Sequence, residues 1–189
     1  MSKRAVVIHS EAEIAGIRRA AAAAAEVLDG LCAAVRPGLS TLEVDQLAAG
    51  LIAATGGVSA FLGYHGFPAQ ICISVNDEVI HGIGRPDRIL MPGDLVSMDV
   101  GVRLKGYIGD NARTVCVGTM PVGCAASLLQ ATHEALLAGV EKACGGGYVN
   151  DISQAVEAVV KAYGFSAVRD FVGQGCGREL HEPPEVPNA

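Results

Sequence analysis

The stretch DLVSMDVGVRLKGYIGDNARTV, residues 94–115, constrains the fold of this chain more than any other. Lys105-Gly106 lies between two runs of alternating apolar and polar residues. A two-residue linker of that kind predicts a tight β-hairpin turn. The turn sets the register: Leu104 pairs with Tyr107, and Gly101 lies opposite Asp110. Because successive side chains in a strand point to opposite faces, Ser97, Asp99 and Gly101 share one face. Met98, Val100 and Val102 fill the other. Asp110 then falls on the same face as Asp99, as its diagonal neighbour at about 7–8 Å.

This places a carboxylate inside an apolar strand and a second one beside it. Two such groups repel, and burial disfavours the charged form of each. A divalent cation removes both penalties. One metal held by two carboxylates, or two metals bridged by one of them, fits the arrangement. The plainer alternative is two partly solvated turn or strand-end aspartates. It suits Asp110 better, because Gly-Asp-Asn is a common turn sequence. It suits Asp99 less, because a charged residue in an apolar strand is rarely buried unpaired.

Helical patterns flank the hairpin. Ser10 with Glu13, and Ser40 with Glu43, are Ser-x-x-Glu helix starts. The first introduces an Ala-rich helix that stops at Pro37-Gly38, the second a helix running to Gly56-Gly57. QICISVN, DLVSMDVGV and ARTVCVG are short β-branched segments. Two further helices are predicted near 124–143 and 150–163, followed by a last strand in FSAVRDFV. The closing segment, FVGQGCGRELHEPPEVPNA, shows no closing strand of its own. A faint repeat sets Gly38 against Gly146, Val44 against Ile152 and Gly56 against Gly164, each copy reading as Gly turn, helix, Gly, strand. The class is α+β, helices on one face of a largely antiparallel sheet, and the length of 189 residues fits a single domain.

Composition narrows the function. Half the residues are hydrophobic and 18% are charged, which suits a packed core and rules out a disordered chain. A net charge of −6 without clustered cations argues against a nucleic-acid groove. The six cysteines form no Cys-x-x-Cys pair and read mostly as buried small hydrophobes. No apolar run approaches the roughly 20 residues of a membrane span, and the N-terminus has no signal-peptide pattern. A cytoplasmic protein is expected.

Among the histidines, His81 is predicted at the end of an apolar strand, where the chain exits into a loop. A core histidine is an equal reading there. His65 sits in a Gly-Tyr turn, and His181 follows the Gly-rich segment. His133, inside a helix, and His9 have no expected catalytic role.

LGYHGFP, ICISVNDEVIHGIG, MPGDLVSMDVGVRLKGYIGDNARTVCVG and GFSAVRDFVGQGCGRELHEPPEV together resemble the type I methionine aminopeptidases, which have the pita-bread fold. The resemblance covers nearly the whole chain. It implies two divalent metals (Co, Mn, Fe or Zn) held by two Asp, one His and two Glu. Asp110 takes the bridging position and Asp99 the chelating one. His81 matches a His that contacts substrate, and His181 one that polarises the scissile carbonyl. Tyr64, Phe67, Cys72 and, less closely, Phe61 and Leu180 fall where the family lines its methionine pocket. Asn76 and Glu78 fall where a monovalent cation is held by loop carbonyls. The implied reaction is hydrolysis of the first peptide bond of a chain beginning with Met, by a metal-activated water.

Against that pattern, Gln174 stands where the family has a metal-binding His. An amide oxygen is a weaker ligand than imidazole for Mn, Fe, Co or Zn. On the resemblance, the strands bearing the two Glu ligands lie beyond Ala189, so the second half of the sheet is expected to be incomplete. The alternative function is then a catalytically impaired pseudoenzyme or gene fragment that binds peptide N-termini or a partner without cleavage. The implied partners are the Met-starting ends of peptides or nascent proteins, and the ribosome. A monomer is expected for the intact fold, and association through the open sheet for an incomplete one.

Overall fold

The structure is a computed structural model and describes residues 5–189. It divides into two compact units.

One unit comprises Ile8–Met120 with Cys176–Leu180. Helix α1 spans Glu11–Ala34 and α2 spans Thr41–Ala54. Both begin with the predicted capping box. The Ser10 N–H donates to the Glu13 carboxylate at 2.9 Å, and the Ser40 N–H to that of Glu43 at 2.8 Å. Each box satisfies donors that the first helical turn leaves without a partner.

Four strands follow: β1 (Val58–Ser59), β2 (Cys72–Val75), β3 (Leu95–Leu104) and β4 (Tyr107–Cys116). β3 is central, with β1 and β2 along one edge and β4 along the other, all antiparallel. The hairpin has the expected register, Leu104 opposite Tyr107 and Gly101 opposite Asp110. Lys105 and Gly106 both take positive φ, 51° and 84°, as a type I′ turn requires. Met98, Val100 and Val102 are fully buried and pack into one core with Val27 and Leu31 of α1 and Val44 and Ile52 of α2. Burying an aliphatic side chain of this size stabilises the fold by about 1.5–3 kcal/mol. That burial fixes which face of β3 meets the helices, so Ser97, Asp99 and Gly101 take the opposite face.

The free edge of β4 is met at Ile108 by residues 176 and 177. The Ile108 N–H donates to the Gly177 carbonyl at 2.7 Å, and the Cys176 thiol donates to the Ile108 carbonyl at 3.7 Å.

The second unit comprises residues 121–175 and 181–189, with 5–7. It holds α3 (Gly123–Lys142), α4 (Val149–Ala162), and an antiparallel pair formed by β5 (Gly173–Gly175) and β6 (Glu182–Val186). The pairing shifts register between Gln174 and Gly175. The Ser153 hydroxyl of α4 donates to the Pro187 carbonyl at 2.6 Å, tying the helix to the chain beyond β6.

Three expectations need correction. Residues 165–172 form no strand. They alternate suitably, but the segment takes loop and bend conformation; Arg169 bonds Glu157 of α4 at 3.1 Å, and Val168 stays 50% exposed. The closing segment, in contrast, does contain strands, β5 and β6. A two-stranded ribbon leaves one side of each strand unbonded, so Pro183 and Pro184 are tolerated in β6. Of the six cysteines only Cys72 is buried; Cys124 and Cys144 are exposed on or beside α3, and the other three are half-buried.

The faint repeat has a backbone counterpart. α2 and α4 are each 14 residues long. The glycines before them, Gly38 and Gly146, have φ of 91° and 89°, and those after them, Gly56 and Gly164, 75° and 78°. All these positions keep one constant offset. The equivalence stops at the strand, because β1 follows Gly56 and no strand follows Gly164 directly.

Among the described residues, no helix is long and apolar enough to cross a membrane.

Candidate metal centre

Asp99 sits near the middle of β3, flanked by Cys72 of β2 on one side and Ala112 of β4 on the other. Its neighbours on that face are small. Ser97 lies opposite both Ser74 and Thr114, and the hydroxyls of Ser97 and Thr114 share a hydrogen bond of 2.7 Å. Gly101 leaves room for an aromatic ring, since a Cβ there would overlap the side chain of Phe61. Across β4, Asp110 is opposite Gly101, two pairs along from Asp99 and so on the same face.

The electrostatics follow from this placement. Burial, and then the Asp110 carboxyl beside it, push Asp99 up to about 8. Burial pushes the Cys72 thiol up to about 12, with the Asp99, Asp110 and Asp45 carboxylates adding to the effect. A thiol so raised stays protonated and behaves as an apolar contact. A buried acid whose ionisation its neighbouring acid opposes makes, with that neighbour, an oxygen-donor pair suited to a hard or borderline divalent cation. Among the described residues no group of three or more His, Cys, Asp or Glu converges as a metal cage. The pair could supply only part of a coordination shell.

Beside the acids lies an apolar cluster of Ala60, Phe61, Cys72, Ile108 and Leu180, with Phe67 packed against it. Four of the five expected pocket residues therefore come together. Tyr64 is not part of that cluster; it is 36% exposed, with its ring edge-on to His65 at 4.4 Å between centroids. Sequence reading missed Ile108, although strand alternation places it two residues before Asp110 on the same face. It also missed Asp45, a buried acid on α2 that accepts from the N–H groups of Gln70 and Ile71 at 2.9 and 3.1 Å. Ser59 donates to the Gln70 carbonyl at 2.6 Å. Together they hold the entry to β2, and so Cys72, in place.

His81 is not at a strand end. β2 stops at Val75, and His81 is exposed in the loop beyond, with φ of 59°. That loop doubles back: Gly82 donates to the Ser74 hydroxyl at 3.1 Å and accepts from the Ile73 N–H at 2.9 Å. Val79 and Ile80, which read as strand, remain exposed. Asn76 and Glu78 occupy the turn after β2 with their side chains engaged. The Asn76 amide bonds Asp94 at 2.8 Å and accepts from Leu95 at 2.9 Å, while Glu78 accepts from Val75 at 2.8 Å. His181 and Gln174 belong to the other unit. His181 is exposed just before β6, and Gln174 lies in β5 opposite Glu185.

The model of metallopeptidase family M24 matches residues 15–189. A methionine aminopeptidase of Clostridium acetobutylicum is 44% identical over 97% of this chain and 73% of its own length. The crystal structure of a methionine aminopeptidase from Rickettsia prowazekii superposes with a TM-score of 0.93 at 35% identity, covering 97% of this chain and 73% of that one. A prolidase from Pyrococcus furiosus shares the fold at 24% identity, with a TM-score of 0.84 over 96% of this chain and 52% of its own.

Proposed function

From the premise that this chain belongs to metallopeptidase family M24, and has its α+β pita-bread fold, we propose that it removes the N-terminal methionine from peptides and nascent proteins by divalent-metal-dependent hydrolysis. The observation that carries the reading is Asp99 and Asp110 on one sheet face beside a closed apolar cluster. The donor set fits a divalent ion: two carboxylates, one of them held protonated by burial and by its neighbour until a cation replaces the proton. Once bound, such an ion would acidify a water molecule and draw electron density from the scissile carbonyl.

The protein's own residues divide the remaining work. Phe61, Phe67, Cys72, Ile108 and Leu180 take the methionine side chain, with Tyr64 at the rim. A thioether is apolar, flexible and polarisable, and suits a pocket of rings, a protonated thiol and branched aliphatics. Asp99 and Asp110 would hold the metal. On the family resemblance, His81 would contact the substrate and His181 would donate to the carbonyl oxygen as negative charge develops there. Asn76 and Glu78 mark a turn whose side chains are already hydrogen-bonded, so a monovalent cation there would be held through main-chain oxygens. Cytoplasmic action on chains emerging from the ribosome completes the reading.

Gln174 favours a second reading, binding of peptide N-termini without cleavage, since it stands where the family carries a His ligand. One experiment separates the two. The purified protein is assayed for methionine release from Met-Ala-Ser with Mn(II) or Co(II), alongside Asp99→Asn. Metal-dependent release that the variant loses supports the peptidase. Peptide binding without release supports the second reading.

A further inference from the structure

We propose that Arg178 is a positioning residue, one that clamps the Cys176–Leu180 segment onto the β3–β4 hairpin and so holds Leu180 as a wall of the pocket beside Asp99 and Asp110. The inference rests on the peptidase reading for its functional consequence, though not for its geometry.

This segment is the only part of residues 121–189 that belongs to the hairpin's unit. It has no helix or strand of its own, and beside the Cys176 thiol bond to Ile108 several contacts hold it. The Gly177 carbonyl accepts from Ile108 at 2.7 Å. The Arg178 carbonyl accepts from the Arg103 guanidinium at 3.1 Å. The Arg178 side chain reaches two further elements: Nε donates to the Glu13 carboxylate of α1 at 3.1 Å, and a terminal nitrogen donates to the Tyr107 hydroxyl at 3.3 Å. The guanidinium also lies over the Tyr107 ring, 5.0 Å from its centroid. Glu13 is fixed in turn by the capping box, so the clamp ends on a rigid helix terminus.

Two residues on, Leu180 is 4% exposed and packs with Phe61, Cys72 and Ile108. The segment turns tightly between these points, Gly177 donating to the Glu179 carbonyl at 3.1 Å. Displacement of Arg178 therefore has few bonds through which to relax before it reaches Leu180. Lysine cannot substitute fully, because a point charge engages Glu13 or Tyr107 but lacks the planar fork that engages both.

The test reads the pocket without requiring turnover. Iodoacetamide labelling of Cys72 and of Cys32 is followed by peptide mass spectrometry in the full chain. Cys32 abuts the α1–α2 core and serves as the control. Arg178→Ala should accelerate Cys72 labelling roughly threefold to tenfold, the range open to a partly exposed ion-pair network, with Cys32 unchanged. Arg178→Lys should fall between that variant and the native protein, and it decides the matter if Arg178→Ala does not fold. Adding Glu13→Gln to Arg178→Ala should cause no further acceleration of Cys72. In active enzyme, Arg178→Ala should raise KM for Met-Ala-Ser severalfold with kcat largely retained. An unchanged Cys72 rate in Arg178→Ala or, should that variant not fold, in Arg178→Lys would overturn the clamp. So would a parallel rise at Cys32. Inactive native protein with accelerated Cys72 labelling in the variant would sink the peptidase reading and leave the clamp standing.

Discussion

Cys72 and Asp99 face each other directly across β2 and β3. One residue belongs to the apolar cluster and the other to the acid pair, so the sheet register itself joins the proposed place for a methionine side chain to the proposed place for a metal. Shifting either strand by one residue would send one of them to the opposite face and separate the two functions.

Loss of the acid pair should trade function for stability. Asp99→Asn removes a buried carboxyl that burial and Asp110 already disfavour in its charged form. The metal-free variant should be at least as stable as the native protein near pH 8, and Mn(II) should no longer raise its Tm. For the native protein, a metal at a hundred times its Kd adds about 2.7 kcal/mol. Thermal melts with and without Mn(II) check both halves.

Stability of the metal-free protein should fall as pH rises. The Asp99 pKa is raised from 3.8 to about 8 in the folded state, so the folded chain holds a proton that the unfolded chain releases. The stabilising contribution is complete below pH 3.8 and is lost as pH climbs toward 8 and beyond. Divalent metal competes with that proton, so its affinity should rise across the same window. Urea titrations at pH 5 and pH 8, in EDTA and in Mn(II), should show the metal-free slope reduced by the ion.

Gly101→Ala tests the contact that shapes the pocket. Its Cβ would overlap the Phe61 ring. Overpacking of this kind costs about 1–3 kcal/mol. The Phe61 ring must also shift, so affinity for methionine should drop while Mn(II) binding is retained. Calorimetric titration with L-methionine and with Mn(II) separates the two effects.

Gln174→His should separate the peptidase from the binding-only reading. An imidazole is a better ligand than an amide oxygen for the transition metals considered. The variant should bind Mn(II) or Co(II) more tightly and release methionine from Met-Ala-Ser faster than the native chain. Equal metal affinity in the two proteins would show that position 174 takes no part in the site.

The Ser40 capping box should matter for stability alone. Ser40→Ala removes the hydroxyl that accepts from the Glu43 N–H at 3.2 Å. A loss of about 1 kcal/mol is expected from helix-cap substitutions. Denaturant midpoints should register it, and the metal-induced shift in Tm should be unchanged.

The sequence by itself determined what depends on near neighbours. The Lys105-Gly106 turn, strand alternation and the burial of Met98, Val100 and Val102 were enough to put Asp99 and Asp110 on one face. The two Ser-x-x-Glu boxes fixed the starts of α1 and α2, because a cap is a bond between residues three apart. Tertiary structure decided what depends on distant partners. FSAVRDFV alternates like a strand yet takes no strand conformation, because alternation fixes which face a side chain would take and not whether a ladder forms. EVIH reads as strand until Gly82 folds back onto Ile73 and Ser74 and leaves His81 in a loop. Ile108 and Leu180 meet in one pocket, and Arg178 finds Glu13, only because the chain closes over long sequence separations. A local pattern specifies which bonds a segment can make, and only the folded chain supplies the other half of each.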